Sequence, residues 1–565
     1  MDKFTGADIV LKVLEKHGVD CIFGYPGGTM LPLYDALYQH PKIKHYLVRH
    51  EQGAVHMAEG YARTTGKVGV VFVTSGPGAT NTVTGLANAK LDSVPVLVIT
   101  AQVVQSLIGT DGFQEADVVG ITIAATKHND LIREKDELEK AVTDAMYYAL
   151  EGRPGPILLD IPKDVLMTDV EYKDLSVRKV EKQVDGGDFA DAARALCEAK
   201  RPVCYFGGGI INADASKELK AIVDKLNIPA TGTLMGLGAI SGIDPHNIGM
   251  PGMHGTYTAN TAIHQSDCIL AAGVRFDDRV TGKLEEFAPH AKIVHVDVDD
   301  SEIHKIRNVE WPLVGDAKPV LKKLKKEIDS YLAEGHVDRE KLMSNWWADV
   351  NGWLKKNPLK YNPNKKIIKP QSVIEEVYTQ SKGDLIVTTD VGQHQMWSAQ
   401  FFPVHEPREW LSSGGLGTMG FGLPAGIGAQ IGRPDKQAVV FVGDGSFQMT
   451  MQEMALLMGN EVPLKVVILN NSSLGMVRQW QDLFHDKRFS ETDISISPDF
   501  MKIADAYGVK SRRVEKSMDL ADGVKEMLKE KEAFLLEVIV DKDEHVYPMV
   551  PSGGAAHQMI LHPDD

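Results

Sequence analysis

The stretch GDGSFQMTMQEMALLMGNEVPLKVVILNN, residues 443–471, decides how this chain is read. VVFV (439–442) before it and LKVVIL (464–469) within it are short apolar runs of the buried-strand kind. Between them Gly443-Asp444-Gly445 reads as a tight turn. Phe447, Met451, Met454, Ala455 and Met458 fall on one face of a helix over 446–458, which Gly459-Asn460 stops. A right-handed crossover makes the two strands parallel. Asp444 and Asn471 then stand together at the carboxyl edge of one sheet, with the helix N-terminus aimed at the same place. That edge is where open α/β sheets bind ligands. A helix N-terminus favours an anion, and hard carboxylate and amide oxygens suit Mg²⁺. The predicted ligand is a Mg²⁺-diphosphate group. Taken alone, Asp444 reads equally as a helix cap and the Asn pair as a turn; their matched topology favours the ligand. No Gly-Lys-Ser/Thr closes the turn, which excludes a P-loop, and no GxGxxG follows the strand, which disfavours a dinucleotide site.

The 565 residues suggest three to four domains at about 150 residues each. A hydrophobic fraction of 43% and a charged fraction of 24% describe a soluble globular protein. The formal net charge of −16 argues against nucleic acid or an anionic membrane as partner. Cys21, Cys197, Cys204 and Cys268 lie far apart without CxxC or zinc spacing, as reduced cytoplasmic thiols do. Thr5-Gly-Ala-Asp8 looks like a capping box before a helix that ends near Gly18. No transit segment and no membrane-spanning apolar run is visible, so the expected location is cytoplasmic, in a prokaryote rather than an organelle.

Along the chain, strands and helices alternate in three blocks of similar size, predicting three consecutive doubly wound parallel-sheet α/β domains. The first covers 1–165, with buried-strand runs VGVVFV (68–73) and PVLVI (95–99), and closes on RPGPILLDIPKDV (153–165). A charged, irregular stretch over 166–188 reads as a linker. The second block, 189–330, opens with RPVCYFGGGI (201–210). KKNPLKYNPNKKIIKPQ (355–371) reads as a second linker. The third block, 369–540, carries the GDG segment, and 541–565 is a C-terminal tail. In the first block Glu51 begins a helix in VRHEQGAVHMAEGYAR (48–63), beside two glycine-rich turns, GYPGGT (24–29) and TSGPGATN (74–81). A first-turn acid is favoured by the helix dipole in any protein. Ringed by backbone turns, Glu51 also suits an aminopyrimidine-bearing cofactor.

GDG…NN with an HEQGA glutamate in a separate domain resembles thiamine-diphosphate enzymes. Over nearly its whole length the chain resembles the catalytic subunits of the acetohydroxyacid synthase (acetolactate synthase) family. The resemblance rests on GYPGG, SGPGATN, GTDGFQE, TKHN, GMHGTYTAN, GVRFDDRVTG, VGQHQMW, SGGLGTMGFGLPAGIGAQ and LGMVRQWQ, in order. It implies a pyrimidine-binding domain, a central FAD-binding domain and a diphosphate-binding domain. The active site would lie between the first domain of one subunit and the third of its partner, in a homodimer or tetramer. A separate regulatory small subunit is a further partner of this family. The implied reaction decarboxylates pyruvate on thiamine diphosphate and condenses the hydroxyethyl carbanion with a second pyruvate or with 2-ketobutyrate. It is the first common step of branched-chain amino acid biosynthesis.

By the same resemblance, Asp444, Asn471 and the Ser473 carbonyl match the Mg²⁺ ligands. Pro26, Gly76, Val391, Gly392, Gln393, His394, Gly417, Gly445, Ser446, Gly475 and Met476 match thiamine-diphosphate contacts. Met419 matches the bulky residue that enforces the cofactor's V shape, and Glu51 the acid on N1′ of its pyrimidine. Arg279, oriented by Asp278, matches the holder of the acceptor carboxylate. Phe113, Gln114 and Lys127 match positions beside the acceptor channel, and Trp480 the residue that favours 2-ketobutyrate. Gly207, Gly208, Thr233, Met253, His254, Gly273, Arg275, Asp277, Asp297 and Asp316 match contacts to FAD, retained in a non-redox role. Rival readings are a pyruvate oxidase or FAD-free decarboxylase on this fold, a non-catalytic scaffold, and an NAD-linked dehydrogenase. RFDDRVTG and Trp480 disfavour the first, intact Glu51, Asp444 and Asn471 the second, and the missing fingerprint the third.

The chain departs from many members in AQVV (101–104), where Val104 replaces a proline, in Thr29, where alanine is common, and in Ser472-Ser473. In this family sulfonylurea inhibitors bind the channel leading to the cofactor. A β-branched valine and a larger threonine should each fit them worse, by about 1–3 kcal/mol. Inhibition curves are expected to show a resistant wild type and a more sensitive Val104→Pro variant; a fully sensitive wild type contradicts this reading.

Overall fold

The computed structural model describes residues 3–364, 366–459 and 462–561. Three six-stranded sheets follow one another along the chain. A two-stranded antiparallel pair, β1 (Lys3–Thr5) with β8 (Asp169–Glu171), ties the start of the chain to the segment after the first sheet. The first sheet contains β2 (Cys21–Tyr25), β3 (Lys44–Leu47), β4 (Gly69–Thr74), β5 (Val96–Gln102), β6 (His128–Leu131) and β7 (Ile157–Pro162), in the order β3-β2-β4-β5-β7-β6. The central sheet contains β9 (Val184–Gly186), β10 (Pro202–Phe206), β11 (Ala230–Gly232), β12 (Cys268–Ala272), β13 (Lys292–Asp297) and β14 (Trp311–Gly315), in the order β11-β10-β12-β13-β14-β9. The third contains β15 (Ile386–Thr389), β16 (Trp410–Leu411), β17 (Ala438–Gly443), β18 (Lys465–Asn470), β19 (Lys510–Val514) and β20 (Phe534–Ile539), in the order β16-β15-β17-β18-β20-β19. All pairings in the first and third sheets are parallel, and those two sheets share one topology. Their inner strands are mostly apolar, as sheets covered on both faces require, with Asp160, Lys465 and Glu537 among the buried exceptions.

Thr5 caps the first helix, Gly6–Lys16, and Asp8 closes the capping box. The stretch over 166–188 is not irregular throughout. β8 lies in it, and β9 adds to the central sheet as its antiparallel edge. The central body also continues past residue 330. Helix Arg339–Lys356 buries Met343, Trp346 and Val350 in the same core as β10 and β12, and Arg339 donates to the carbonyls of Cys197, Ala199 and Leu226. The tail beyond 541 is laced across two bodies. Gln479 exchanges hydrogen bonds with the backbone of Val546, and Val550 N–H donates to the Met253 carbonyl. Among the described residues, no helix is long and apolar enough to cross a membrane.

The GDG stretch itself differs from the expected turn and single helix. β17 ends at Gly443 and the helix begins at Asp444 without an intervening turn. That helix stops at Thr450, whose backbone leaves the helical region and whose hydroxyl donates to the Gly420 carbonyl. A 3₁₀ turn (Met451–Met454) and a short helix (Ala455–Gly459) follow. The tighter turn rotates the buried face. Leu456 and Leu457 are buried, and Met458, expected inside, is 55% exposed. Asn460, expected to help stop the helix, lies outside the described residues.

The first and third bodies meet through two helices, Glu51–Thr65 and Gly422–Gly432. A Cβ on Gly60 would lie 2.0 Å from the Ala425 carbonyl oxygen, and one on Gly428 1.9 Å from that of Met57. In an open helix Gly→Ala stabilises by about 1 kcal/mol. Here Gly60→Ala is expected to destabilise by about 1–3 kcal/mol through overpacking. A thermal melt in which the alanine variant is the more stable would contradict this contact.

Candidate active site

Asp444 follows directly on β17, and Asn471 directly on β18, its parallel neighbour. Both therefore stand at the carboxyl edge, as the sequence predicts. Asp444 is 1% exposed, and neither carboxylate oxygen has a hydrogen-bond partner among the described residues. The amides of Gly445, Asn471 and Ser472 face it without a well-aligned bond, and burial pushes its pKa up to about 7. Asn471 is oriented by donation to Gln393 Oε1 (3.2 Å) and by accepting the Ser473 N–H. Between them Ser472 holds a left-handed φ of 53°. Gly475 is needed here: a Cβ would lie 2.1 Å from Gln393 Oε1 and 2.6 Å from Asn471 Nδ2. His394 is buried, its Nε2 lacks a partner among the described residues, and burial drives its pKa down to about 3. Ser446 donates to the Val391 carbonyl, which joins the GDG helix to the Val391-Gly392 turn.

Met419 sits on the loop between β16 and helix Gly422–Gly432, half-buried, between Gly417 (φ 72°) and Gly420 (φ 92°). It lines a cavity of about 1300 Å³ that also reaches Val391, Gly392, Gly417, Met476, Trp480 and Arg279. The same cavity runs into the central body along Gly208, Thr233, Met253, His254, Gly273, Arg275, Asp277, Asp297 and Asp316. Its floor is glycine on glycine. A Cβ on Gly209 would lie 2.7 Å from Gly273 Cα, so the loops after β10 and β12 touch backbone to backbone. Gly207 lies within that contact but does not line the cavity. Asp297 is buried, and burial raises its pKa to about 6. Arg279 is exposed, 3.8 Å from Asp278.

A second cluster forms at the carboxyl edge of the first sheet. Glu51 is the first residue of its helix and accepts from Asn81 Nδ2 at 2.9 Å. Gly78 approaches it closely, and Gly76 (φ 59°) lies against the backbone of Gln114. Pro26 is exposed on the neighbouring turn, and Phe113 is 88% exposed beside Gln114 (φ 59°). None of these residues lines the large cavity. Lys127 stands apart from both clusters within the chain. Its ammonium donates to the carbonyls of Tyr148 and Glu151, at the end of helix Leu138–Leu150. Thr29 turns its hydroxyl inward, donating to the Ala101 carbonyl at 2.6 Å, so it ties β4 and β5 together rather than simply narrowing a channel. Val104 has φ −58°, a value that proline adopts without strain.

Residues 4–121, 189–324 and 390–538 match the N-terminal TPP binding domain, the central domain and the C-terminal TPP binding domain of thiamine pyrophosphate enzymes. The chain is 44% identical to the acetolactate synthase large subunit of Haemophilus influenzae, over 99% of both chains. It is 43% identical to the acetolactate synthase isozyme 3 large subunit of Escherichia coli, again over 99% of both. It is 46% identical to the large subunit of Lactococcus lactis, over 98% of this chain and 96% of that one.

The chain belongs to the acetolactate synthase family of thiamine pyrophosphate enzymes.

Three side chains at the sites of this family member escaped the sequence reading. Asn81 closes the quoted TSGPGATN turn and holds Glu51. Arg153, in the quoted RPGPILLDIPKDV, lines the cavity and pairs with Glu302 (2.8 Å) and Asp299 (3.3 Å). Glu453 is fully buried and accepts the N–H of Arg49, two residues before Glu51; burial raises its pKa to about 7. Motif position marks the first two. Nothing local marks Glu453, which reads as an ordinary helical acid.

A buried carboxylate without partners is costly. Asp444→Asn is therefore expected to raise the melting temperature of the protein free of divalent cations and cofactor, and to abolish the rise in melting temperature that Mg²⁺ with cofactor produces. Scanning calorimetry with and without both additions measures this. A variant that keeps the rise removes Asp444 from the cation site.

Proposed function

We propose that the chain decarboxylates pyruvate and joins the remaining two-carbon unit to the ketone carbon of a second 2-keto acid. Pyruvate as acceptor gives 2-acetolactate, and 2-ketobutyrate gives 2-aceto-2-hydroxybutyrate. Each turnover breaks one carboxylate C–C bond, releases CO₂, forms one C–C bond and takes up one proton. The observation that carries the reading is the buried Asp444 carboxylate, without a hydrogen-bond partner among the described residues, at the end of the strand next to that of Asn471.

Thiamine diphosphate supplies the electron sink that makes loss of CO₂ feasible. The residues fit it. Asp444 offers two free oxygens to Mg²⁺, with the Asn471 amide and the Ser473 carbonyl as further hard ligands. Gly392, Gly445 and Gly475 leave room for a diphosphate, beside Gln393, His394 and Ser446. Glu51, held by Asn81, is the acid for the pyrimidine N1′. Met419 supports the cofactor from below, and Trp480 offers an apolar face to the acceptor. Arg279, exposed at the cavity rim, receives the acceptor carboxylate. The long cavity with its glycine floor fits FAD, held in a non-redox role, with Arg153 and Arg275 as cations for its diphosphate.

In one chain the Glu51 cluster does not line the Met419 cavity. By the family resemblance, Glu51 serves the partner's cofactor in a homodimer or tetramer. The relatives are designated large subunits, which supports binding of a smaller regulatory partner. We place the enzyme in the cytoplasm, at the first common step of branched-chain amino acid synthesis, with the first domain ending near 165, the third beginning near 369, and the central one running from β9 through helix Arg339–Lys356.

Mass spectrometry of a reaction with pyruvate, thiamine diphosphate, Mg²⁺ and FAD is expected to show acetolactate. Acetaldehyde, or acetate with peroxide, as sole product would overturn the proposal. Glu51→Gln should retain cofactor binding while slowing C2 hydrogen exchange of the bound cofactor by orders of magnitude; unchanged exchange removes Glu51 from that role. Trp480→Leu should shift the product ratio toward pyruvate as acceptor by roughly tenfold, the scale of about 1–3 kcal/mol in an apolar pocket. An unchanged ratio in a competition assay contradicts that assignment.

A further inference from the structure

The loop that presents Met419 is gripped on both sides, and one grip comes from the first body of the same chain. Downstream, the buried Asp390 carboxylate accepts the N–H groups of Gly420 (2.9 Å) and Gly422 (2.7 Å). Upstream, Asp92 accepts the N–H groups of Gly415 (2.7 Å) and Gly414 (3.1 Å). Asn88 Oδ1 accepts the hydroxyls of Ser413 (2.6 Å) and Thr418 (3.0 Å). Asn88 is fully buried, and the Asp92 side chain is 1% exposed.

Helix stability does not explain either residue. Asp92 is the C-cap of helix Val83–Leu91, where the helix dipole disfavours an acid. It is held there by the Arg63 guanidinium at 2.7 Å. The Asn88 amide nitrogen donates to Glu59 Oε2 at 2.8 Å, next to the same Arg63. A carboxylate only accepts, so the amide nitrogen must face Glu59, and the carbonyl oxygen is left facing the two loop hydroxyls. Asn88 is thereby oriented toward the loop by a group outside it. Charge-assisted bonds of the Asp92 kind are the stronger sort.

We infer that Asp92 and Asn88 are positioning residues for Met419. The first body sets the height of the cofactor-supporting loop in its own third body, through the C-terminal end of helix Val83–Leu91, which Glu59 and Arg63 of the helix that begins with Glu51 hold in place. This rests on the reading of Met419 as the residue beneath the cofactor. The glycines at 414 and 415 belong to the device. A Cβ on Gly415 would lie 2.8 Å from Leu91 Cβ and 3.0 Å from Asp92 Oδ1.

The test compares Asp92→Asn, the milder Ser413→Ala, Met419→Ala and the double variant Asp92→Asn/Met419→Ala. In cofactor-free protein, amide hydrogen exchange of the peptide spanning 411–422 reads the grip directly. Fluorescence titration reads affinity for thiamine diphosphate with Mg²⁺, and C2 hydrogen exchange reads the geometry of the bound cofactor. Asp92→Asn should speed amide exchange at 414 and 415, and change cofactor affinity and C2 exchange by about tenfold, the scale of one charged hydrogen bond. The KM for pyruvate should stay within about twofold, since these residues do not touch substrate. In the Met419→Ala background the Asp92 substitution should add nothing to the slowing of C2 exchange. Folded Asp92→Asn and Ser413→Ala proteins with wild-type C2 exchange, while Met419→Ala is slow, overturn the inference alone. Full additivity with Met419→Ala also overturns it. Wild-type exchange in Met419→Ala instead overturns the reading of Met419, and this inference with it.

Discussion

Two helices crossing backbone to backbone hold the rest of the structure in place. Helix Glu51–Thr65 and helix Gly422–Gly432 approach so closely that Gly60 faces the Ala425 carbonyl and Gly428 the Met57 carbonyl with no room for a methyl group. Glycine within a helix costs about 0.5–1 kcal/mol relative to alanine, and the close approach offsets it. The crossing brings Glu453 to the start of one helix and puts Arg63, Asn88 and Asp92 against the loop that precedes the other. The positions of Glu51 and Met419 are therefore two consequences of one contact.

Buried charge is distributed unevenly around that contact. Arg63 pairs with both Glu59 and Asp92, and the two carboxylates also accept from Asn88 and two loop amides, with His56 beside Glu59. Removing one member of such a cluster leaves another unpaired, at about 3–5 kcal/mol. Asp444 is the opposite case, buried with neither oxygen hydrogen-bonded among the described residues. Burial without partners raises its pKa to about 7. The contrast separates buried charges that the fold pairs from one that it leaves unpaired.

The cavity shows a similar division. Its central-body half is built from turns at the carboxyl ends of β10, β12 and β13, the edge at which parallel sheets take ligands. Its third-body half is built from the loop of Met419 and the helix of Trp480. The tail beyond 541 bridges the two, bonding Gln479 next to Trp480 and the Met253 carbonyl of the opposite wall. No single sheet makes the site.

Much of this was legible in the residues. Runs such as VVFV and LKVVIL announce buried parallel strands because both faces of the sheet are covered, and the Thr5–Asp8 box announces its helix because the capping chemistry is local. Gly443-Asp444-Gly445 and Asn471 could be placed at one sheet edge because parallel connectivity leaves no other arrangement. Their placement survives the loss of the expected turn and of the single long helix. What the sequence alone could not decide depends on partners distant along the chain. The helix breaks at Thr450 because Gly420 takes its hydroxyl, and Met458 is exposed because that break rotates the face. Arg339–Lys356 joins the central core because Trp346 finds a gap there, which its amphipathic pattern does not identify. Asn88, Asp92 and Glu453 look like ordinary polar residues on helices. Only the crossing of two glycine-bearing helices brings them to the loop and helix end they hold, and hydrogen bonds between residues some 320 to 400 positions apart leave no periodicity to read.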